Sequence, residues 1–231
     1  MKTPLHDKPR TSGPALPARR LPTYLVNRFR GWHATDYIEN RAWFLHLAQE
    51  GQHPRTMLIA CCDSRVHVTA IFGADQGEFF IHRNVANLVP PFSPNGDYHG
   101  TSAAVEYAVS VLHVAHLIVV GHSNCGGVQG CHDMCAGHAP ELASGSSFVG
   151  RWMEILRPGY ERTAHITDPA ARVAAMEREA VRVALENLLT FPFVREAVAS
   201  ERLTLHGVWH DIGAGGLEVF DGKTGAFVPA G

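Results

Sequence analysis

The sequence has no long hydrophobic run. Its densest apolar stretches, such as residues 117–120, fall far short of the roughly 20 residues that a membrane-crossing helix requires, so no membrane span is expected. Net charge is also nearly absent. The formal balance is -2 with the histidines neutral, which gives no reason to expect a nucleic-acid or membrane partner and suits a small or neutral substrate. Cysteine is sparse, limited to Cys61, Cys62, Cys125, Cys131 and Cys135, and no secretory hydrophobic region accompanies it. A disulfide framework is therefore a poor reading. Metal or thiol chemistry in a reducing compartment is a better one, with the cytoplasm as the expected location. A phosphate loop is missing too, because residues 121–127 have neither the Rossmann glycine pattern nor a P-loop lysine.

What is present fits one folded domain over residues 21–231. The chain has 231 residues, 45% of them apolar, enough to bury a substantial core and carry one active-site system. Residues 1–20 stand apart. Lys2, Lys8, Arg10, Arg19 and Arg20 are set against only Asp7, prolines interrupt any helix, and apolar residues are few, so this stretch reads as a disordered basic arm. Over residues 22–50 the apolar positions recur at helical steps and break near Gly31, which predicts two amphipathic helices.

Short apolar runs at 56–60, 77–82 and 116–120 read as buried strands. With a helical stretch at 100–112 between the last two, they predict an α/β fold with a mainly parallel sheet flanked by helices. Residues 168–200 predict a long helix with Asp168 as N-cap, Pro169 at the first helical position and a break at Phe191-Pro192. Residues 203–209, 217–220 and 226–228 predict a strand followed by a hairpin around residues 221–225.

Two motifs sit at the carboxyl ends of expected strands, Cys61-Cys62-Asp63-Ser64-Arg65 and Gly121-His122-Ser123-Asn124-Cys125-Gly126-Gly127. In open parallel sheets ligands bind at that edge, where loops from several strands converge. His122 and Cys125 can present a nitrogen and a sulfur on one side, and Cys61 can add a second sulfur. A Cys₂His set with an open fourth position matches catalytic zinc, whereas structural zinc is usually closed by a fourth Cys or His. Either motif alone reads equally well as packed free cysteines and a satisfied loop histidine. Together they favour a metal.

The combination of CxDSR with HxxCGG further along resembles the signature of the β-carbonic anhydrases. The similarity extends through residues 77–87, Glu106-Tyr107-Ala108 and Leu205-His206-Gly207, and so spans residues 52–220. The resemblance implies zinc on Cys61, His122 and Cys125, with Asp63 and Arg65 as a carboxylate–guanidinium dyad beside the metal-bound water. It implies reversible hydration of carbon dioxide to bicarbonate and a proton. It also implies an apolar pocket at Phe80, Val85 and Tyr107, and hydrogen bonds to substrate from the Gly126 amide and from Gln52 across a dimer interface. An N-terminal helical arm embracing a second subunit makes a homodimer, or a higher even oligomer, the expected assembly. In the bicarbonate-regulated branch of the family a Trp lies three residues before the first cysteine ligand and Asp63 can become a fourth ligand in a closed state. Leu58 stands there in this chain, so the resemblance is to the plant-type, open branch.

The chemistry can also be argued from the residues. Two thiolates cancel the charge of the ion and weaken its Lewis acidity, so the bound water needs help to stay deprotonated. A carboxylate held ionised by Arg65 can accept a hydrogen bond from the hydroxide and aim its lone pair at carbon dioxide. Cys62 is read as non-ligating. A second metal site at Cys131, His132, Cys135 and His138 is not favoured, because no further paired ligands stand at zinc-finger spacing. His53 and His82 are candidates for proton relay only. Two other readings remain open at this level: a hydrolase of the same fold acting on carbon disulfide or carbonyl sulfide, and a non-catalytic zinc-stabilised binding module.

Overall fold

The computed structural model describes residues 18–95 and 99–231, so the expectation for residues 1–17 lies outside the described residues. The chain divides into two compact units, Met1–Gly51 and Gln52–Gly231.

In the first unit, helix α1 (Thr23–Trp32) runs on through a widened turn at His33–Tyr37 before helix α2 (Arg41–Glu50) begins. The expected break at Gly31 is displaced. Gly31 lies inside α1, and the chain turns at Asn40, which leaves helical geometry at φ -106° and ψ 19°. An aromatic cluster joins the helices. Trp32 meets Phe44 edge-on at 5.6 Å, and Tyr37 contacts both rings at 5.7 and 5.4 Å. No residue of α1 or α2 is buried in the single chain, and Tyr24, Phe29, Ile38 and Trp43 are exposed.

The second unit is built on a six-stranded sheet. Its strands are β1 (Thr56–Cys61), β2 (Phe79–Asn84), β3 (His116–His122), β4 (Thr204–His210), β5 (Leu217–Asp221) and β6 (Ala226–Pro229), in the spatial order β2-β1-β3-β4-β5-β6. The first four are parallel, and β5 and β6 extend the sheet antiparallel. Strand β2 starts two residues later than the apolar run suggests, because Gly77 adopts φ 96° and Glu78 turns back to accept the Asp75 amide at 3.1 Å. Strand β3 runs two residues further than expected, so His122 closes the strand instead of following it.

The helices are α3 (Val68–Ile71), α4 (Gly100–Glu106), α5 (Gly126–Cys135), α6 (Phe148–Met153), α7 (Arg157–Arg162), α8 (Pro169–Leu188) and α9 (Pro192–Ala199). Helix α4 widens into a further turn at Tyr107–Val111. The expected N-cap is present, with the Asp168 carboxylate accepting the Ala171 amide at 2.7 Å, and the break at Phe191-Pro192 separates α8 from α9. Short helices α3, α6 and α7 carry too few turns for their periodicity to be read from sequence.

Apolar side chains of β1 and β3 face two cores. Met57, Ile59, Leu117 and Val119 pack with Val181, Leu188 and Phe191. Leu58, Ala60 and Val120 pack with Val66 and Val68. Helix α8 lies so close to the sheet that a Cβ at Gly121 would come within 2.6 Å of Val181 Cγ2. This contact fixes the strand end immediately before His122. Among the described residues no helix is long and apolar enough to cross a membrane.

Candidate metal centre

Strands β1 and β3 are hydrogen-bonded neighbours, with Ala60 opposite Val120. Their ends therefore bring Cys61 and His122 together, and the turn into α5 returns Cys125 as the residue that opens that helix. The donor atoms of the three side chains lie within 4.8 Å of one another. All are buried, at 4%, 1% and 2% exposure. The His122 ring is held by its Nδ1, which donates to the Ser123 carbonyl at 2.9 Å. That bond leaves Nε2 with a lone pair, and Nε2 is buried without a hydrogen-bond partner. The two sulfurs lie 4.0 Å apart. Their hydrogen bond lowers the pKa of the Cys61 thiol and raises that of Cys125. The Ala86 amide lies 3.4 Å from the Cys61 sulfur and adds to its stabilisation as thiolate.

A buried imidazole nitrogen with no partner is costly unless something occupies its lone pair. Two thiols and one such nitrogen form a borderline-soft N/S set of the kind that holds zinc.

Asp63 and Arg65 are brought together beside this group. Arg65 Nε and Nη2 donate to the two carboxylate oxygens at 3.0 and 2.7 Å, and the Arg65 amide donates to Asp63 Oδ1 at 2.9 Å. The guanidinium holds the Asp63 carboxyl well below the usual carboxylate range. Arg65 is anchored in turn on the Asn124 carbonyl at 2.9 Å. Asn124 adopts φ 55°, a left-handed conformation that Asn tolerates better than most residues.

The expected substrate residues divide into groups. Phe80 and Tyr107 form a ring pair with centroids 5.8 Å apart. Val85 packs with the cluster that contains Cys61 and Cys125, and it lines a cleft of about 620 Å³ with Cys62, His82, Arg83, Thr101 and Trp152. Phe80 and Tyr107 do not line that cleft. Gly126, the first helical residue of α5 after the Cys125 cap, lines a separate cavity against α8, while Gln52 is exposed at the start of the second unit. A Cβ at Gly127 would meet Val85 Cγ1 at 2.9 Å and Ala86 Cβ at 3.0 Å, so α5 reaches the Val85 segment only because this residue has none.

Cys62 is exposed and stands outside the ligand group. Among the described residues, Cys131, His132, Cys135 and His138 form no second group of three donors. His82 hydrogen-bonds Thr101 Oγ1 at 2.9 Å through Nε2.

Two residues with no role assigned from sequence complete the surroundings. Arg83, from β2, clamps the loop that carries Asp63, and Glu177, from α8, accepts the Cys125 amide at 3.1 Å. Arg83 falls within the similar stretch 77–87, but nothing in the sequence gave it a role. Glu177 had a sequence signal, since it falls within the helical stripe Val173, Met176, Ala180, Val181 and Ala184, where a carboxylate must be buried.

Comparison with known proteins agrees with this geometry. A family model described as Carbonic anhydrase matches residues 56–217. The chain is 34% identical over 196 residues to beta carbonic anhydrase 3 of Arabidopsis thaliana, covering 84% of this chain and 74% of that protein. The solved structure of the β-carbonic anhydrase CcaA superposes with a TM-score of 0.82 at 28% identity, covering 90% of this chain and 92% of the other. A structure from a study of two tetrameric β-carbonic anhydrases of Sordaria macrospora superposes with a TM-score of 0.69 at 33% identity, covering 85% and 95%.

Proposed function

The chain belongs to the β-class carbonic anhydrases, enzymes of carbonate dehydration, and from that premise we propose that it hydrates carbon dioxide reversibly at a zinc held by Cys61, His122 and Cys125. The observation that carries the assignment is the buried, unpartnered His122 Nε2 beside two sulfurs. Bound there, zinc would supply Lewis acidity and so allow water to lose a proton near neutral pH. Asp63, kept ionised by Arg65, accepts a hydrogen bond from the attacking oxygen and sets its direction. Both carboxylate oxygens of Asp63 are engaged by Arg65, and Asp63 is not a member of the ligand group. This supports the open arrangement, in which Asp63 is not a ligand. Leu58 is wholly buried in an apolar cluster, and its side chain offers a second bicarbonate no hydrogen-bond donor. Bicarbonate therefore takes part as reactant and product of the reversible reaction and not as a regulator.

Gly126 and Gln52 serve as hydrogen-bond donors to substrate oxygen, and Phe80, Val85 and Tyr107 supply the apolar lining that an uncharged linear molecule requires. Gln52 acts from a second copy of the chain. The exposed aromatic face of the first unit supports such an assembly, since apolar surface of this kind marks a protein partner.

The test is metal stoichiometry measured with stopped-flow carbon dioxide hydration on the wild type and on Cys61→Ser, His122→Ala, Cys125→Ser and Cys62→Ser. One zinc per chain, lost in the first three variants and kept with activity in the fourth, is expected. Full zinc in all of the first three would overturn the ligand set. Sulfide release from carbon disulfide without carbon dioxide hydration would overturn the substrate.

A further inference from the structure

Glu177 is the one carboxylate among the fully buried polar side chains described, at 4% exposure, and the reaction as set out above gives it no task. Its two oxygens are both engaged by donors. Oε1 accepts the Cys125 amide at 3.1 Å and Oε2 accepts Trp209 Nε1 at 3.2 Å. Trp209 is itself held from the other side, because the Arg178 guanidinium lies 3.7 Å over its ring and pairs with Glu218 through two contacts of 2.7 Å. A continuous set of contacts therefore runs from β5 through Arg178 and Trp209 to Glu177, and from Glu177 to the backbone of Cys125.

Cys125 opens α5, and its backbone sits at φ -72° and ψ 114°. The direction of its sulfur depends on that backbone, and the Glu177 carboxylate is what holds the Cys125 amide. We propose that Glu177 is a positioning residue for the metal centre: its carboxylate fixes the Cys125 backbone, and through it the Cys125 thiolate, in ligating orientation. This rests on the assignment of Cys125 as a metal ligand.

The role has a specific chemical requirement. The groups that Glu177 meets, the Cys125 amide, Trp209 Nε1 and the Asn124 amide, are all donors, so both of its oxygens must accept. An amide offers one acceptor and one donor group. In Glu177→Gln at least one of these N–H groups therefore faces an NH₂, although shape and volume are kept. Replacing Trp209 by Phe removes one donor, and the amide oxygen is then free for Cys125. The double variant should recover what the single variant loses.

The experiment measures release of zinc into a chelator for the wild type, Glu177→Gln, Trp209→Phe and the double variant. Absorption of the cobalt-substituted forms reports thiolate ligation directly. Glu177→Gln should release metal about tenfold faster with altered thiolate-to-cobalt bands, and the double variant should return to the behaviour of Trp209→Phe alone. Wild-type release from Glu177→Gln, or a double variant no better than Glu177→Gln, would overturn the proposal. If the Gln variant does not fold, Glu177→Asp decides, since its shorter arm cannot reach Cys125 and Trp209 together; wild-type release from it is equally fatal. Cys125→Ser, run in parallel, separates the two levels. If it keeps its metal, the ligand assignment fails; if it loses metal while Glu177→Gln behaves as wild type, only the role of Glu177 fails.

Discussion

Arg83 grips the carbonyl oxygen of Cys61 with two guanidinium nitrogens, Nε at 2.9 Å and Nη2 at 2.7 Å. The same Nη2 reaches the carbonyls of Asp63 at 2.7 Å and Val66 at 2.9 Å. One side chain from β2 thus holds the backbone of Cys61 and of Asp63 together.

Replacing Arg83 by Lys keeps the charge but not the planar fork that serves several carbonyls at once. Arg83→Lys should lower the unfolding free energy by about 2 kcal/mol, as expected for lost charge-assisted hydrogen bonds. Carbon dioxide hydration should fall further than stability does, because Asp63 shifts with the loop. Urea denaturation and stopped-flow hydration on the same preparation check both. Unchanged values would show that the loop holds itself.

Asp63→Asn and Arg65→Ala should keep the fold and the metal but lose hydration activity by about 100-fold, the scale of losing one positioned electrostatic partner in a transition state. Asp63 is the better test. Asn keeps the shape but cannot attract the guanidinium as a carboxylate does. Metal content is read alongside turnover, and near-native turnover in either variant would remove the dyad from the mechanism.

The two adjacent glycines should respond differently to an added methyl group. A Cβ at Gly127 meets Val85 and Ala86 at 2.9 and 3.0 Å, whereas one at Gly126 meets nothing within 4 Å. Gly127→Ala should destabilise by about 1–3 kcal/mol through overpacking, and Gly126→Ala should leave the thermal midpoint near wild type. Equal midpoints for the two variants would contradict the close approach of α5 to residues 85 and 86.

Stability should fall as pH drops below neutrality. Burial lowers the pKa of both His82 and His206 from the ordinary 6.5, with His116 adding to the effect at His206. Their folded pKa values lie below the unfolded one, so between the two the unfolded chain binds more protons. The contribution is complete above pH 6.5 and is lost as pH falls through the folded values. Urea midpoints at pH 7 and pH 5 should therefore differ in the wild type and differ less in His82→Gln combined with His206→Gln. A pH dependence equal to wild type in that pair would locate the acid sensitivity elsewhere.

The sequence disclosed the strands and the three donors because both follow from short-range patterns. Residues 56–60 had to be buried on both faces, and the motifs stood where such strands end. Boundaries were less legible. The turn at Asn40 and the late start of β2 depend on local φ values and on the Glu78 side chain, which apolar periodicity does not encode. The contacts of Arg83 and Glu177 were not legible as such, because both grip backbone groups far along the chain, and main-chain donors and acceptors are the same in every residue. The separation of Phe80 and Tyr107 from the cleft beside Val85 depends on three-dimensional packing that no linear motif records.

The pairing of β1 with β3 has a consequence for how this site can vary. Cys61 ends one strand, His122 ends its neighbour, and the two strands are joined in register up to Ala60 and Val120. Neighbouring strands stand about 4.8 Å apart whatever side chains they carry. The main chain therefore acts as a ruler for the separation of Cys61 and His122, which side-chain substitution on the two strands leaves in place. Change can enter only through the loops beyond the ruler, at residues 62–65 and 123–126. These, the second of which carries Cys125, can be rewritten while the backbone separation of Cys61 and His122 stays constant.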